Sequence, residues 1–420
     1  MSSTSTTARQ AMNRFLTWRT PAIIIGCGML VAVLNYGPRS SLGFFLTPIS
    51  TSNEWGRDVV ALALAIQNLM YGASTPFAGA VADRFGIVRV LVAGALVYAF
   101  GLAMMAFATT PGTLYLTCGV LIGLGVSGTS FTIVIAAFGK LLPEKWRSMA
   151  FGGGTAAGSF GQFLFSPLGV FLIDSAGWQS ALLTFSGLVL MIVPLSLVLM
   201  TPRMESAAPG MPASAQTQSY KQALVEAFGH RSYVLLVVGF FTCGFQLAFI
   251  TVHLPSYLLD RGLSAQVGGW TLAIIGLFNI AGCMTSGWLG GFAPKRYILS
   301  FIYFTRALAV VVFITLPPST LTTLVFGAVT GFLWLSTVPP TSGLVAMMFG
   351  TRWLGMLFGV AFFSHQVGGF LGIWLGGLLF ERTGSYDVVW WLSVMFGILS
   401  ALINLPIVEK PVHRPAPAAA

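Results

Sequence analysis

Charge is what this chain lacks. Only 8% of its 420 residues are Asp, Glu, Lys or Arg, against about 25% in an ordinary soluble domain. So little charge excludes a soluble globular protein. The acids, 11 in all, fall in loops or at the ends of apolar runs, and none occupies a helix centre. This argues against an organic cation as ligand, because such a site needs a buried acid or an aromatic cage. The four cysteines, Cys27, Cys118, Cys243 and Cys283, have no CxxC spacing, which predicts free thiols acting as small hydrophobes rather than a disulfide framework or a metal site. There is no Walker A motif and no cluster of nucleophile, base and acid, so neither nucleotide-driven work nor enzyme chemistry is expected, and no cofactor. The net charge is +10, yet the basic residues lie singly between apolar runs and form no stripe with aromatics, which excludes nucleic acid as a partner.

What is present is apolar sequence, 56% of the chain. Twelve apolar runs of about 20 to 28 residues recur between residues 21 and 408, each long enough to cross a lipid bilayer. The expected fold is therefore an all-α integral membrane protein with 12 transmembrane helices. Arg9, Arg14 and Arg19 precede a first run that is too long for a signal peptide and has no clear cleavage site, so that run is expected to stay attached. Between the sixth and seventh runs, residues 201–232 are rich in Ala, Pro, Ser and Gln and read as a flexible linker. The chain divides accordingly into an N-terminal segment 1–20, a six-helix bundle 21–200, the linker, a second six-helix bundle 233–408 and a tail 409–420. Sixteen of the 21 Lys and Arg residues fall on the side of the termini and linker, which places that side in the cytoplasm and predicts a multi-pass protein of a cell membrane, the bacterial inner membrane.

The two bundles carry a repeat. Gly79-Ala-Val-Ala-Asp83-Arg84-Phe-Gly86-Ile-Val-Arg89 closes the second run, and Gly287-Trp-Leu-Gly-Gly291-Phe-Ala-Pro-Lys295-Arg296 closes the eighth. Equivalent segments in two halves predict pseudo-symmetric bundles with a ligand site between them near the bilayer midplane.

Arg39 stands midway through the first run, in Tyr36-Gly37-Pro38-Arg39. A guanidinium keeps its charge at any ordinary pH and costs about 2.5 to 3.5 kcal/mol at the centre of a membrane helix. Gly37 and Pro38 loosen the helix at that point and free backbone groups that a cavity or a packed partner must satisfy. Arg39 is therefore expected to face a wet cavity and bind an anion; the alternative is a guanidinium that snorkels or bonds to nearby carbonyls. His365 and Gln366 lie near the middle of the eleventh run and are candidate contacts from the other half, with His365 able to switch protonation near neutrality. Tyr36, Gln67, Asn68, Gln162, Gln246 and Asn279 complete the candidate binding set, although amides also tie membrane helices together. Arg306, in the ninth run, reads as an interhelical partner or a snorkelling residue. Phe and Trp positions such as Phe44, Phe131 and Trp334 read as packing. The pairs Gly154/Gly158, Gly355/Gly359 and Gly372/Gly376 have the small-xxx-small spacing that allows close helix approach.

The Gly79-to-Arg89 stretch resembles the signature loop of the major facilitator superfamily, and the resemblance implies that Asp83, Arg84, Gly86 and Arg89 help to latch the cytoplasmic face. Gly291 stands in place of the aspartate in the second copy. Within that superfamily the chain looks most like the bacterial relatives of monocarboxylate transporters and oxalate/formate exchangers. Pro38-Arg39 falls where monocarboxylate carriers have a proline and a substrate-facing lysine, Trp146-Arg147 through Gly158 is similar to their entry into helix 5, and His365 falls where the oxalate exchanger has a substrate-binding lysine. Cys283 and Gly119 occupy the positions of two arginines found in helices 8 and 4 of related carriers. The resemblance implies a monomeric secondary transporter that moves a small organic anion, a carboxylate, by alternating access, with a coupling proton or a counter-substrate as a further ligand. The competing expectations are an exporter of a larger, partly apolar compound, drug-like or vitamin-like, and a non-transporting membrane receptor on the same fold.

Overall fold

The computed structural model describes residues 19–200, 220–350 and 354–412, without the side chains of Ala80, Asp83, Arg84, Tyr220, Leu354, Gly355 and several residues between 139 and 155. Among the described residues every regular element is helical. Bilayer physics dictates this, because a helix satisfies all of its own backbone groups and an open strand does not.

The first passage, α1 (Pro21–Ser40), begins at Thr20, whose side chain caps the Ile23 amide, with Pro21 pre-set for the first turn. It continues through a tightened turn, Leu42–Phe45, into Leu46–Asn53. Then follow α2 (Arg57–Phe85), α3 (Ile87–Met105) and α4, which is built from Pro111–Leu114, a π-helical turn at Tyr115–Leu121, Ile122–Gly128 and Phe131–Leu141. The long stretch Glu144–Leu190 is two passages, α5 and α6, folded at Gly177. Gly177 has φ 81°, a conformation that a side chain would strain. The second half comprises α7 (Arg231–Asp260), α8 (Ala265–Leu289), α9 (Lys295–Thr315), α10 (Thr320–Leu333 with Val338–Phe349), α11 (Leu354–Thr383) and α12 (Asp387–Asn404). Among the described residues eleven stretches are long and apolar enough to cross a membrane, and the longest, Ala156–Val198 at 43 residues, contains the fold at Gly177. The twelve expected passages are therefore present. The described part of the linker region, Tyr220–Gly229, is a short helix.

Two faces of the bundle can be told apart from hydrogen bonds. Arg19 donates to the carbonyls of Val198 and Met200 at 2.9 and 2.8 Å, the Arg296 amide donates to Glu409 at 2.7 Å, and the Val412 amide donates to the Met348 carbonyl at 2.9 Å. These residues mark the face of the termini. Arg57, Asp260 and Glu381 gather on the opposite face.

Each half contains one broken helix near mid-depth, and the two breaks are repaired in the same way. In α4, Asn35 of α1 donates to the Val126 carbonyl at 3.0 Å and to the Thr129 hydroxyl at 2.6 Å. In α10, Cys243 of α7 reaches the Trp334 carbonyl at 3.9 Å and the Thr337 hydroxyl at 3.3 Å. The step from 35 to 243 equals the steps from 126 to 334, from 129 to 337 and from Gly79 to Gly287. The internal repeat thus extends into the side-chain bonding of the core. Arg306 is also committed to the α10 break: it is 2% exposed and donates to the carbonyls of Leu333 and Trp334. It is an interhelical partner.

Glycine sets the closest packing. Gly368 and Gly372 of α11 lie under the carbonyls of Phe241 and Phe245 in α7, and Gly244 of α7 lies under the His365 carbonyl, with no room for a Cβ at any of the three. Gly376 meets the His253 ring, whereas Gly359 faces open space. Between the halves, Gly369 of α11 meets the Asn68 amide in α2, and Gly276 of α8 would bring a Cβ to 2.6 Å from the Ser159 carbonyl in α5. Backbones that approach this closely gain van der Waals contact that lipid cannot supply.

Candidate functional site at the junction of the halves

The site begins with a local disturbance of α1. Pro38 cannot donate to the preceding turn, and the Gly37 carbonyl is taken up by the hydroxyls of Ser40 at 2.8 Å and Ser41 at 3.2 Å. The helix tightens immediately afterwards, at Leu42–Phe45. Arg39 lies between the two features and projects towards α2. Its Nη2 donates to Asn68 Oδ1 at 2.6 Å, and its guanidinium carbon lies 4.6 Å from the centre of the Tyr71 ring. Both partners are neutral, and among the described residues no carboxylate pairs with Arg39. Its positive charge is held in place and left uncompensated. That favours an anion, since an unopposed charge at low dielectric acts far more strongly than one in water.

Asn68 links this cation to the other half. Its Nδ2 donates to the Gln366 carbonyl and Gln366 Nε2 donates to the Asn68 carbonyl, both at 3.2 Å. Next in line, His365 Nδ1 lies 3.0 Å from Gln366 Oε1. With an amide oxygen as acceptor, Nδ1 carries the hydrogen and Nε2 presents a lone pair. Nε2 is buried with no hydrogen-bond partner. The imidazole is held between Phe362, 5.5 Å away and nearly parallel at 8°, and Phe240 at 5.1 Å. Tyr36 lies one turn before Arg39, within electrostatic reach of both that guanidinium and Trp334 of α10.

The predicted residues separate into two groups. Arg39, Asn68, Gln366 and His365 form one continuous chain of contacts across the halves, with Tyr36 beside it. The others lie outside that chain of contacts. Gln67 donates to the Cys118 carbonyl at 3.2 Å and Gln246 to the Ser393 carbonyl at 2.9 Å, each inside its own half. Asn279 donates to Ser159 of α5 at 2.8 Å and accepts from the Leu335 amide at 2.9 Å, joining the halves to the α10 break. Gln162 is 1% exposed with neither amide atom partnered, beside Gly276 at the α5–α8 contact. In the signature loop, Gly86 turns the chain at φ 96° and Arg89 is exposed, while the side chains of Asp83 and Arg84 lie outside the described residues. The sequence reading gave no role to Tyr71 or to Arg57. Tyr71 could have been found from its spacing one turn after Asn68.

Two six-helix halves, related by an internal repeat and meeting at a buried polar chain, have the architecture of a helical membrane transporter. The chain belongs to the Major Facilitator Superfamily, whose family model matches residues 28–373. It is 28% identical over 386 residues to the uncharacterized MFS-type transporter YcxA of Bacillus subtilis, covering 89% of this chain and 91% of that one. It is 25% identical over 413 residues to monocarboxylate transporter 12 of Rattus norvegicus, covering 91% and 84%. Among solved structures, a D-xylose-proton symporter superposes with a TM-score of 0.71 at 16% identity over 94% of this chain and 98% of that one. A bacterial homolog of the human lysosomal transporter Spinster, inward-facing and unoccupied, superposes at 0.70 with 14% identity over 95% and 99%. The protein is therefore a multi-pass membrane transporter of a small molecule.

Proposed function

We propose that this transporter is a secondary carrier of a small organic anion, a carboxylate, working by alternating access. The observation that carries this reading is Arg39: a permanent cation held at the junction of the halves by a neutral amide and a neutral ring. A carboxylate would pair with the guanidinium, and His365 and Gln366 would meet it from the second half, so that binding draws the halves together. The other cation within the spans, Arg306, has Nε and Nη2 bonded to backbone carbonyls. Similarity to monocarboxylate transporter 12 agrees with this class. Coupling to a proton or to a counter-substrate fits a site with one histidine and no acid. The count of basic residues supports cytoplasmic termini in a bacterial inner membrane. The halves are joined from mid-depth to the opposite face, which supports a cavity opening inward.

The test is uptake of a labelled carboxylate panel into proteoliposomes, comparing the wild type with Arg39→Ala and Arg39→Lys. Saturable uptake of one carboxylate class, lost in Arg39→Ala, is the expected result. Equal uptake by Arg39→Ala would remove Arg39 from the mechanism. The aromatic neighbours Tyr71, Phe362 and Phe240 favour a second reading, a ligand with a larger apolar body; competition by uncharged aromatic compounds as strong as by carboxylates would support it.

A further inference from the structure

On the face opposite the termini, one residue of the first half is tied to three helices of the second. Arg57 opens α2. Its guanidinium meets the Asp260 carboxylate side by side, Nη1 to Oδ2 at 2.5 Å and Nη2 to Oδ1 at 2.8 Å. Nη1 also donates to the Tyr386 hydroxyl at 3.2 Å, and the guanidinium carbon lies 4.2 Å from the centre of the Phe380 ring. The backbone amide of the same residue donates to Glu381 Oε1 at 2.6 Å. Asp260 ends α7, Phe380 and Glu381 belong to α11, and Tyr386 precedes α12.

An exposed ion pair contributes little, at most about 1 kcal/mol. This one differs in two respects. The Arg57 side chain is 15% exposed and that of Asp260 34%, so water screens the pair only in part, and the bidentate geometry is the strong form of the contact. The polar chain then continues inward. The Tyr386 hydroxyl lies 3.4 Å from His253 Nδ1, and His253 Nε2 lies 2.7 Å from the Ile373 carbonyl. Ile373 is on α11, two turns beyond His365. The cluster and the candidate site are thus connected through a single helix.

We infer that Arg57 is a positioning residue for transport: it pins the face opposite the termini shut, and its release from Asp260, Glu381 and Tyr386 is the step that opens the site to that side. This rests on the alternating-access reading but not on the identity of the substrate. The reasoning is geometric: among the described residues Arg57 alone crosses from α2 to α7, α11 and α12 together, whereas the other side-chain bonds between the halves on this face, Asp174 with Gln266 and Thr47 with Ser256, each join a single pair of residues.

The experiment reads distance without any substrate. Ser52→Cys and Ser264→Cys, both exposed on this face, are spin-labelled in a background with Cys27, Cys118, Cys243 and Cys283 replaced by Ser, and the full chain is studied in nanodiscs by electron–electron double resonance. The otherwise unaltered protein should give one short distance. Arg57→Gln should raise the ratio of long to short distances by about five- to tenfold, the loss of one partly screened pair with its ring contact. Asp260→Asn should do the same from the other side, and the swapped pair Arg57→Asp with Asp260→Arg should recover the short distance. Distributions that stay unchanged in both Arg57→Gln and Asp260→Asn overturn the inference. Because no ligand is present, that failure is separate from a failure of the carboxylate reading, which rests on Arg39 and flux.

Discussion

Asn68 and Gln366 donate to each other's backbone carbonyls, at 3.2 Å in both directions, across the boundary between the halves. Asn68 simultaneously holds Arg39, and Gln366 simultaneously holds His365. The pair therefore sets the position of both candidate ligand contacts.

The first prediction concerns the charge on Arg39. Asn68→Asp keeps the shape of the side chain and places a carboxylate beside the guanidinium, where it competes with an anionic substrate. KM for the transported carboxylate should rise at least about tenfold, which corresponds to about 1.4 kcal/mol, with a thermal transition close to that of the wild type. Unchanged KM in proteoliposomes would count against an anion at Arg39.

A second prediction separates His365 from its neighbour. His365→Phe preserves the stack on Phe362 and removes the buried Nε2 lone pair. If that nitrogen meets the substrate or its proton, uptake falls at least about tenfold and changes its dependence on external pH, with the thermal transition close to that of the wild type. Uptake that keeps its rate and pH profile would assign the ring to packing alone.

Arg306 gives a third. Arg306→Leu leaves the carbonyls of Leu333 and Trp334 without their donor, at a cost of about 1 to 3 kcal/mol for each buried acceptor. The variant should lose several degrees of thermal stability in detergent and express poorly. Arg306→Lys, which offers a compact point charge in place of the planar fork, should recover part of it.

The fourth tests close approach. Gly372→Val places a branched side chain against the Phe245 carbonyl, where there is no space even for a methyl group. Separating α7 from α11 should cost about 1 to 3 kcal/mol or more, read as loss of monodisperse protein. Gly359→Ala, which faces open space on the same helix, should be neutral.

Much of this was legible in the sequence. Twelve passages followed from run length, and the fold at Gly177 falls in the gap between the fifth and sixth runs. Arg39 stood out because a charge in an apolar run is costly and because Gly37-Pro38 announced the irregular backbone now seen between Gly37 and Phe45. The amides were harder. Helices that are apolar all round give no periodic signal of which face is inward, so Gln67 and Gln246, bonded within their own halves, looked the same as Asn68 and Gln366. Arg57 was invisible for another reason. Its partner Asp260 is 203 positions away, and at the level of sequence each looks like an ordinary loop charge.

The unbroken helix α11 has a mechanical consequence. It carries His365 and Gln366 near its middle and Glu381 close to its end, with no proline between them to act as a joint. The helix runs without interruption from Leu354 to Thr383, so the two places share one axis. On the alternating-access proposal, a tilt of α11 at the candidate site would carry its far tip through a longer arc, so loading and the parting of the opposite rim would be one stroke.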